Sequence, residues 1–124
     1  MPYDLYDYLD AAGVNLFAGW TTGLEKIPRA KMKSKIDMLR LHGEELFPEV
    51  LTDTHVRGIR KIRIKGNVQL RPLLCRGPHG LAEYTFLMGA KEVGDKFDPK
   101  DAPEVADARK STVAKDISRR CKHE

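Results

Sequence analysis

Hydrophobic and polar positions alternate near the start of the chain in a way that predicts a strand followed by a helix. Aromatic or leucine residues alternate with acids from Tyr3 to Leu9, which is typical of a short strand, and an Ala-Ala-Gly turn follows. Asn15 is a suitable helix N-cap. After Asn15, apolar residues recur at helical spacing and predict a helix with one buried side, which places Trp20 in the core. The residues of this side are Leu16, Phe17, Trp20, Leu24 and Ile27.

A second helix is predicted between Pro28 and Gly43, because proline is favoured in the first turn of a helix and glycine at its end. Its buried line consists of Met32, Ile36 and Leu39. Two helices joined across Pro28 indicate an antiparallel helical hairpin. Residues 44–55 are expected to form a connecting loop, from which Phe47 and Leu51 reach the core.

The stretch from Gly58 to Gly77, GIRKIRIKGNVQLRPLLCRG, has the period of two that predicts a β-hairpin. Gly66-Asn67 is expected to form a two-residue turn, and residues 68–76 form the return strand. Pro72 within that strand favours an edge position or a bulge. The two faces of the first strand carry different residues, with Arg60, Ile62 and Ile64 on one and Lys61, Arg63 and Lys65 on the other.

The last third of the chain predicts one more strand and one more helix. Residues 81–90 are almost continuously apolar, which indicates a strand buried on both faces. A helix is expected from Asp98 or Asp101 to Ile117, and residues 119–124 are expected to be a frayed tail. The inward positions of this helix are Ala102, Val105, Ala106, Val113 and Ile117.

The predicted order of elements is therefore β-α-α-β-β-β-α. We expect a single α+β domain spanning residues 1–124, with one antiparallel sheet, an N-terminal helical hairpin packed on one face, and a C-terminal helix. A chain of 124 residues is long enough for one such core.

Composition narrows the class of protein. Charged residues make up 32% of the chain and no apolar run approaches the roughly 18 residues of a membrane span, so we expect a cytoplasmic protein without a membrane partner. Cys75 and Cys121 are too few for a disulfide framework and are interpreted as a core thiol and a tail thiol. The four histidines are scattered along the chain, so we predict no metal and no cofactor. They are His42, His55, His79 and His123.

The positive charge is concentrated in one part of the chain. Thr54 to Ala82 is a stretch of 29 residues with seven bases and no acid, whereas the other 15 bases face all 18 acids. Such a local excess is typical of a nucleic-acid-binding surface, although strands that face water also carry charge. The acids of the first strand are interpreted as solubilising charges on an edge strand: Asp4, Asp7 and Asp10.

Several segments together resemble the phage-derived, HigB-like branch of the RelE/ParE toxin superfamily, and the resemblance covers nearly the whole chain. These segments are LRLHGEELFPEVLTDTHVRGIRKIRI, LRPLLC, FLMGA and the Lys- and Pro-containing KFDP. The resemblance implies a RelE-like fold and a ribosome-dependent mRNA endonuclease that a cognate antitoxin inhibits. Arg63 and Arg71 fall on the two strand arginines of the family.

The chemistry implied by this resemblance sets requirements for the side chains. Attack of a 2′-hydroxyl on the adjacent phosphate needs cations, a base and an acid. Arginine suits the phosphate because its planar fork can hold two oxygens. We predict Arg63, Arg71 and Lys61 as catalytic residues, and the other RNA-binding candidates are Arg57, Arg60, Lys65, His79, Lys91 and Lys96.

Two roles stay open at this point. The general base could be Lys61 or Lys65, whose pKa neighbouring cations would lower, or one of the histidines His55 and His79. Tyr84 could stack on a base, although a tyrosine in a strand more often belongs to the core.

The alternative function is a phage or prophage protein of the same fold that binds nucleic acid or a host protein without cleaving anything. Lys61 favours this alternative because it stands where the family usually carries glutamate. Lys91, Glu92 and Val93 favour it too, since they replace the paired lysines that follow the Leu-x-Gly turn. The gyrase-poisoning branch of the superfamily is a third possibility.

Overall fold

The computed structural model describes residues 2–124, which form three α-helices and seven strands of one sheet. In chain order the elements are β1 Asp4–Tyr8, α1 Leu16–Thr22, α2 Lys26–His42, β2 Leu51–Asp53, β3 Arg60–Ile62, β4 Gln69–Arg76, β5 Glu83–Val93, β6 Lys96–Asp98, α3 Ala102–Lys115 and β7 Arg120–Lys122. The predicted α+β class is confirmed. None of these helices is both long and apolar enough to cross a membrane.

The sheet has the strand order β2-β3-β4-β5-β1-β7, and β6 pairs with β5. All pairs are antiparallel except β1 with β5, which are parallel. The prediction of a wholly antiparallel sheet is therefore wrong at β1. This strand is not joined to its neighbour by a short turn, since the rest of the chain up to β5 intervenes, and such a long connection allows a parallel pair.

Helices cover both faces of the sheet. Phe17 of α1 and Ile36 of α2 pack in one apolar cluster with Ile62, Leu74 and Phe86. The other cluster lies under α3 and contains Leu73, Cys75, Leu87, Ala106 and Val113. Because both faces are covered, the middle of β5 is buried throughout, as its continuous apolar run predicted.

The helix ends follow the predicted capping chemistry in part. Asn15 Oδ1 accepts a hydrogen bond from the amide of Ala18 at 2.9 Å, and Gly43, with a φ of 53°, ends α2. However, α1 ends at Thr22, before the predicted Ile27, which is 70% exposed. Glycine and threonine are weak helix formers, and they dominate the end of α1.

Trp20 packs against the core, as predicted, and its indole explains a glycine in β5. A Cβ atom on Gly89 would lie 1.8 Å from Cδ2 of Trp20. Pro72 stands opposite Gly89 in β4, which is a central strand, and the β4–β5 register shifts between Leu73 and Leu74. The bulge alternative for the proline segment is therefore the one that the structure supports.

The β3–β4 connection is longer than predicted. Ile64 pairs with Leu70 in an isolated bridge, so residues 65–69 form the connection instead of a two-residue turn. In the segment predicted as a connecting loop, residues 44–55, Leu51 is fully buried as expected and begins β2. Phe47 is exposed, and the Arg60 guanidinium lies 4.7 Å from the centre of its ring.

The C-terminal residues are ordered by the sheet. Residues 120–122 form β7 against β1, and Ile117, predicted to face inward, is exposed. Asp7 is only 2% exposed because β1 is an internal strand; its carboxylate accepts from Asn15 Nδ2 and faces His123 Nδ1, each at 2.9 Å. The predictions of a frayed tail and of Asp7 as a solubilising edge charge are therefore both wrong.

Candidate nucleic-acid interface

A basic cleft lies at the end of β3 and β4 that carries their connection. Ile62 and Ile64 face the cluster under α1 and α2, so the residues that alternate with them point to the opposite side of the sheet. The cleft has a volume of about 510 Å³. Its charged lining consists of Lys61, Arg63, Lys65 and Arg71, together with Glu92 and Asp95.

Two of these bases share one carboxylate, and we call Lys61, Arg71 and Glu92 the paired cluster. Glu92 Oε1 lies 2.8 Å from both Lys61 Nζ and Arg71 Nε. Burial raises the pKa of Glu92, but the hydrogen bonds from the two cations outweigh this effect and leave the pKa below its ordinary value. Glu92 is therefore ionised at neutral pH.

Arg71 forms the floor of the cleft and is only 7% exposed. Besides Glu92, its guanidinium donates to the carbonyl oxygen of Leu70 at 2.9 Å and to Gln69 Oε1 at 2.5 Å. Most of its donors are therefore engaged within the protein. Arg71 is placed to hold the carboxylate and the β3–β4 connection in position, and it does not present the free fork that the sequence led us to expect.

Arg63 and Lys65 have the opposite environment. Both are exposed, and within residues 2–124 neither forms a salt bridge. They stand at the rim of the cleft, above the paired cluster. Their charges are the ones available to an incoming anion.

The remaining RNA-binding candidates lie outside the cleft. Arg60 is on the opposite face of β3, where it donates to Glu44 at 2.6 Å and to Asp53 at 3.3 Å. Lys91 is paired with Leu70 across the sheet, on the face that carries the cluster under α1 and α2. Arg57 is exposed in the loop before β3, and Lys96 is exposed on β6.

Both histidine candidates contact α3 instead of the cleft. His79 Nε2 lies 2.8 Å from the carbonyl oxygen of Val113, and His55 Nε2 lies 2.6 Å from Glu104 Oε2. His79 also lies beyond the far end of β4. At about 3.3 Å per residue, that end of the strand is about 17 Å from Arg71. Neither histidine is placed to act on a phosphate bound at Arg63.

Tyr84 belongs to the core. Its side chain is fully buried and its hydroxyl donates to Glu44. Burial raises the pKa of the Tyr84 phenol, and the hydrogen bond to Glu44 adds to this effect. Base stacking by Tyr84 is therefore wrong, because its ring packs beneath α2 with Leu39 and Phe86.

Sequence reasoning did not identify Glu92 as part of the site. The seven bases between Thr54 and Ala82 have no acid nearby in sequence, so any counter-charge had to come from elsewhere in the chain. The structure supplies such charges to four of them: Arg60, Lys61, Arg71 and Arg76. A useful indicator was available, since Glu92 is an acid at the end of an apolar strand that the hairpin had to pair with.

Among residues 2–124, no group of three or more histidine, cysteine, aspartate or glutamate side chains is arranged to hold a metal ion. Comparison with protein-family models, curated proteins and solved structures finds no significant match for this chain.

Proposed function

We propose that this protein is a HigB/RelE-like toxin that binds RNA in the basic cleft and cleaves mRNA on the ribosome. The observation that carries the proposal is the convergence of four cations on one open cleft, two of which are exposed and, among residues 2–124, form no salt bridge. Its further support is the resemblance of the strand segments to the HigB-like branch, since Arg63, one of the two strand arginines, is exposed in the cleft.

In this proposal Arg63 and Lys65 bind the phosphate. Both side chains are exposed at the rim, and arginine can donate to two phosphate oxygens at once. They would also stabilise the additional negative charge that develops on the phosphate during attack. Arg71 acts indirectly, as a positioning residue, because its guanidinium holds Glu92.

Glu92 and Lys61 are the groups of the cleft placed to transfer protons. The carboxylate of Glu92 would take the proton of the 2′-hydroxyl as the 2′-oxygen forms its bond to phosphorus. Lys61 would give a proton to the 5′-oxygen as that oxygen leaves. The lowered pKa keeps Glu92 ionised but reduces its proton affinity, so its contribution as a base is modest.

The setting follows from the same proposal. The protein would act in the cytoplasm, where ribosomes and mRNA are found. A cognate antitoxin would inhibit the protein, and acidic groups of the antitoxin would suit the basic rim of the cleft.

A second candidate is a protein of the same fold that binds nucleic acid or a host protein without cleaving RNA. The occupied donors of Arg71 favour it, because an arginine already bonded to Glu92, Gln69 and Leu70 has little left for a phosphate. In this second proposal the cleft binds a phosphate and does not stabilise a transition state.

Induced expression in bacteria distinguishes the two candidates. The toxin proposal predicts growth arrest with mRNA cleavage at ribosomes. It also predicts that Arg63→Ala abolishes cleavage and that Glu92→Gln slows it, while Asp95→Asn does neither. Normal growth at high expression, with no cleaved mRNA but with RNA binding by the purified protein, would support the second candidate. Loss of plasmid supercoiling without RNA cleavage would point to gyrase instead.

A further inference from the structure

A second basic groove adjoins the cleft on the side of α2. It has a volume of about 650 Å³ and lies between α2 and the segment that follows β3. Lys31, Ser34 and Lys35 line its helical wall, since residues three and four apart share a helix face. Arg63 and Lys65 line the opposite wall, and the same two residues line the cleft.

The positive charge of this groove is only partly offset by the residues that the structure describes. Within residues 2–124, Lys31 and Lys35 form no salt bridge, whereas Lys33 on the same helix pairs with Asp37 at 3.0 Å. Of the described residues, Glu49 is the one acid that lines the groove, against four bases. The groove therefore keeps a net positive charge beside a cleft that has one as well.

The lining also contains groups that suit a nucleic-acid chain without regard to its sequence. Val50, which is half-buried, adds an apolar group to the lining. The hydroxyl of Ser34, exposed on α2, can donate to a phosphate oxygen. Glu92, the base of the proposed reaction, lines the cleft and does not line this groove.

We infer that single-stranded RNA bound in the cleft continues over Arg63 and Lys65 into the α2 groove, where Lys31 and Lys35 bind further phosphates of the same strand. This inference rests on the proposed RNA binding and extends it to a path across two sites. Arg63 and Lys65 connect the two sites because they belong to both. The α2 groove adds affinity for longer strands and takes no part in cleavage.

The test compares a short and a long fluorescent oligouridylate, of roughly four and roughly sixteen nucleotides, which are the limits of the site size of one OB-fold domain. Affinities are measured by anisotropy from about 50 to 200 mM salt. The test variant is Lys31→Ala/Lys35→Ala. The matched control is Lys26→Ala/Lys33→Ala, which removes the same charge from the same helix at positions that do not line the groove.

The inference predicts that Lys31→Ala/Lys35→Ala lowers the affinity for the long strand at least fivefold. The slope of log affinity against log salt concentration should fall by about 1.4, at 0.7 per phosphate contact. The short strand should bind this variant as it binds the control. Equal affinities of the two double variants for the long strand would overturn the path while leaving the cleft intact, provided that Arg63→Ala still weakens both strands. Absence of binding by the unmodified protein would contradict the proposed function itself.

Discussion

The paired cluster and the open rim of the cleft use the same residue types for different purposes. Lys61 and Arg71 are largely buried and share Glu92, whereas Arg63 and Lys65 are exposed and face solvent. A buried cation without its partner is costly, so the paired cluster contributes to folding. An exposed cation costs little to maintain and is free to bind an anion, so the RNA binding that we propose is assigned to the open rim. The difference lies in one carboxylate supplied by β5.

Removal of that carboxylate should produce the largest effect. Glu92→Ala leaves Arg71 and Lys61 without their acid in a partly enclosed site. We expect the free energy of unfolding to fall by about 3–5 kcal/mol, as for other broken buried ion pairs. Urea denaturation measures this change.

Asp95→Ala is the matched control, because Asp95 lines the same cleft but is exposed and forms no salt bridge within residues 2–124. Its free energy of unfolding should stay within about 0.5 kcal/mol of the unmodified protein. If the two variants unfolded at the same urea concentration, the distinction between the paired cluster and the rim would be wrong.

Acid should remove the same contribution gradually. The pKa of Glu92 in the folded protein lies below its ordinary value of 4.5, so folding favours the ionised carboxylate. This stabilisation is complete above about pH 4.5 and is lost as the pH falls through the folded-state pKa. Glu92→Gln should therefore be less stable than the unmodified protein at pH 7, and the gap should narrow below pH 4.5.

Thermal unfolding of both proteins between about pH 3 and pH 7 checks this expectation. A gap that stayed constant across this range would mean that the charge of Glu92 contributes nothing to folding. A gap that widened on acidification would require a raised pKa, which is opposite to what the hydrogen bonds from Lys61 and Arg71 indicate.

The cleft could be predicted from sequence as far as local geometry determines it. A period of two fixes which residues share a strand face, so Lys61, Arg63 and Lys65 were correctly placed together. The pairing with Glu92 depends on the register between β4 and β5, which places Gln69 opposite Glu92 and Arg71 opposite Ala90. No local pattern specifies that register, and the division into a paired and an open half was therefore missed.

The opposite edge of the sheet shows the same limit. The alternation in β1 correctly predicted a strand, but its acids appeared suitable for an edge. The chain returns more than a hundred residues later as β7, and His123 and Asn15 surround Asp7. A buried carboxylate with two partners is visible only when these distant segments are brought together.

Arg63→Ala should separate binding from stability. Because Arg63 is exposed and unpaired within the described residues, the free energy of unfolding should change by less than about 0.5 kcal/mol. Affinity for the short oligouridylate should fall about fivefold, the equivalent of about 1 kcal/mol. Urea denaturation and anisotropy of the same preparation measure the two quantities. Arg71→Ala, by contrast, should lower the free energy of unfolding more than Arg63→Ala does. If Arg71→Ala left the free energy of unfolding unchanged and weakened RNA binding, the roles assigned to Arg63 and Arg71 would be reversed.

Arg57→Ala should have the smallest effect and tests whether position or net charge governs binding. Like Arg63, Arg57 is exposed, and its removal changes the net charge by the same amount. Arg57 lies before β3, at the end of the strand away from residues 63–65. Its neighbour Gly58 lies close to α3, since a Cβ atom on Gly58 would be 2.6 Å from Lys110 Nζ. At about 150 mM salt the Debye length is about 8 Å, and a charge so far along the strand is largely screened from the cleft. We expect less than a twofold loss of affinity for the short oligouridylate. A loss equal to that of Arg63→Ala would mean that RNA responds to the overall charge of the protein, and the division of the basic residues into a paired cluster and an open rim would then have no bearing on binding.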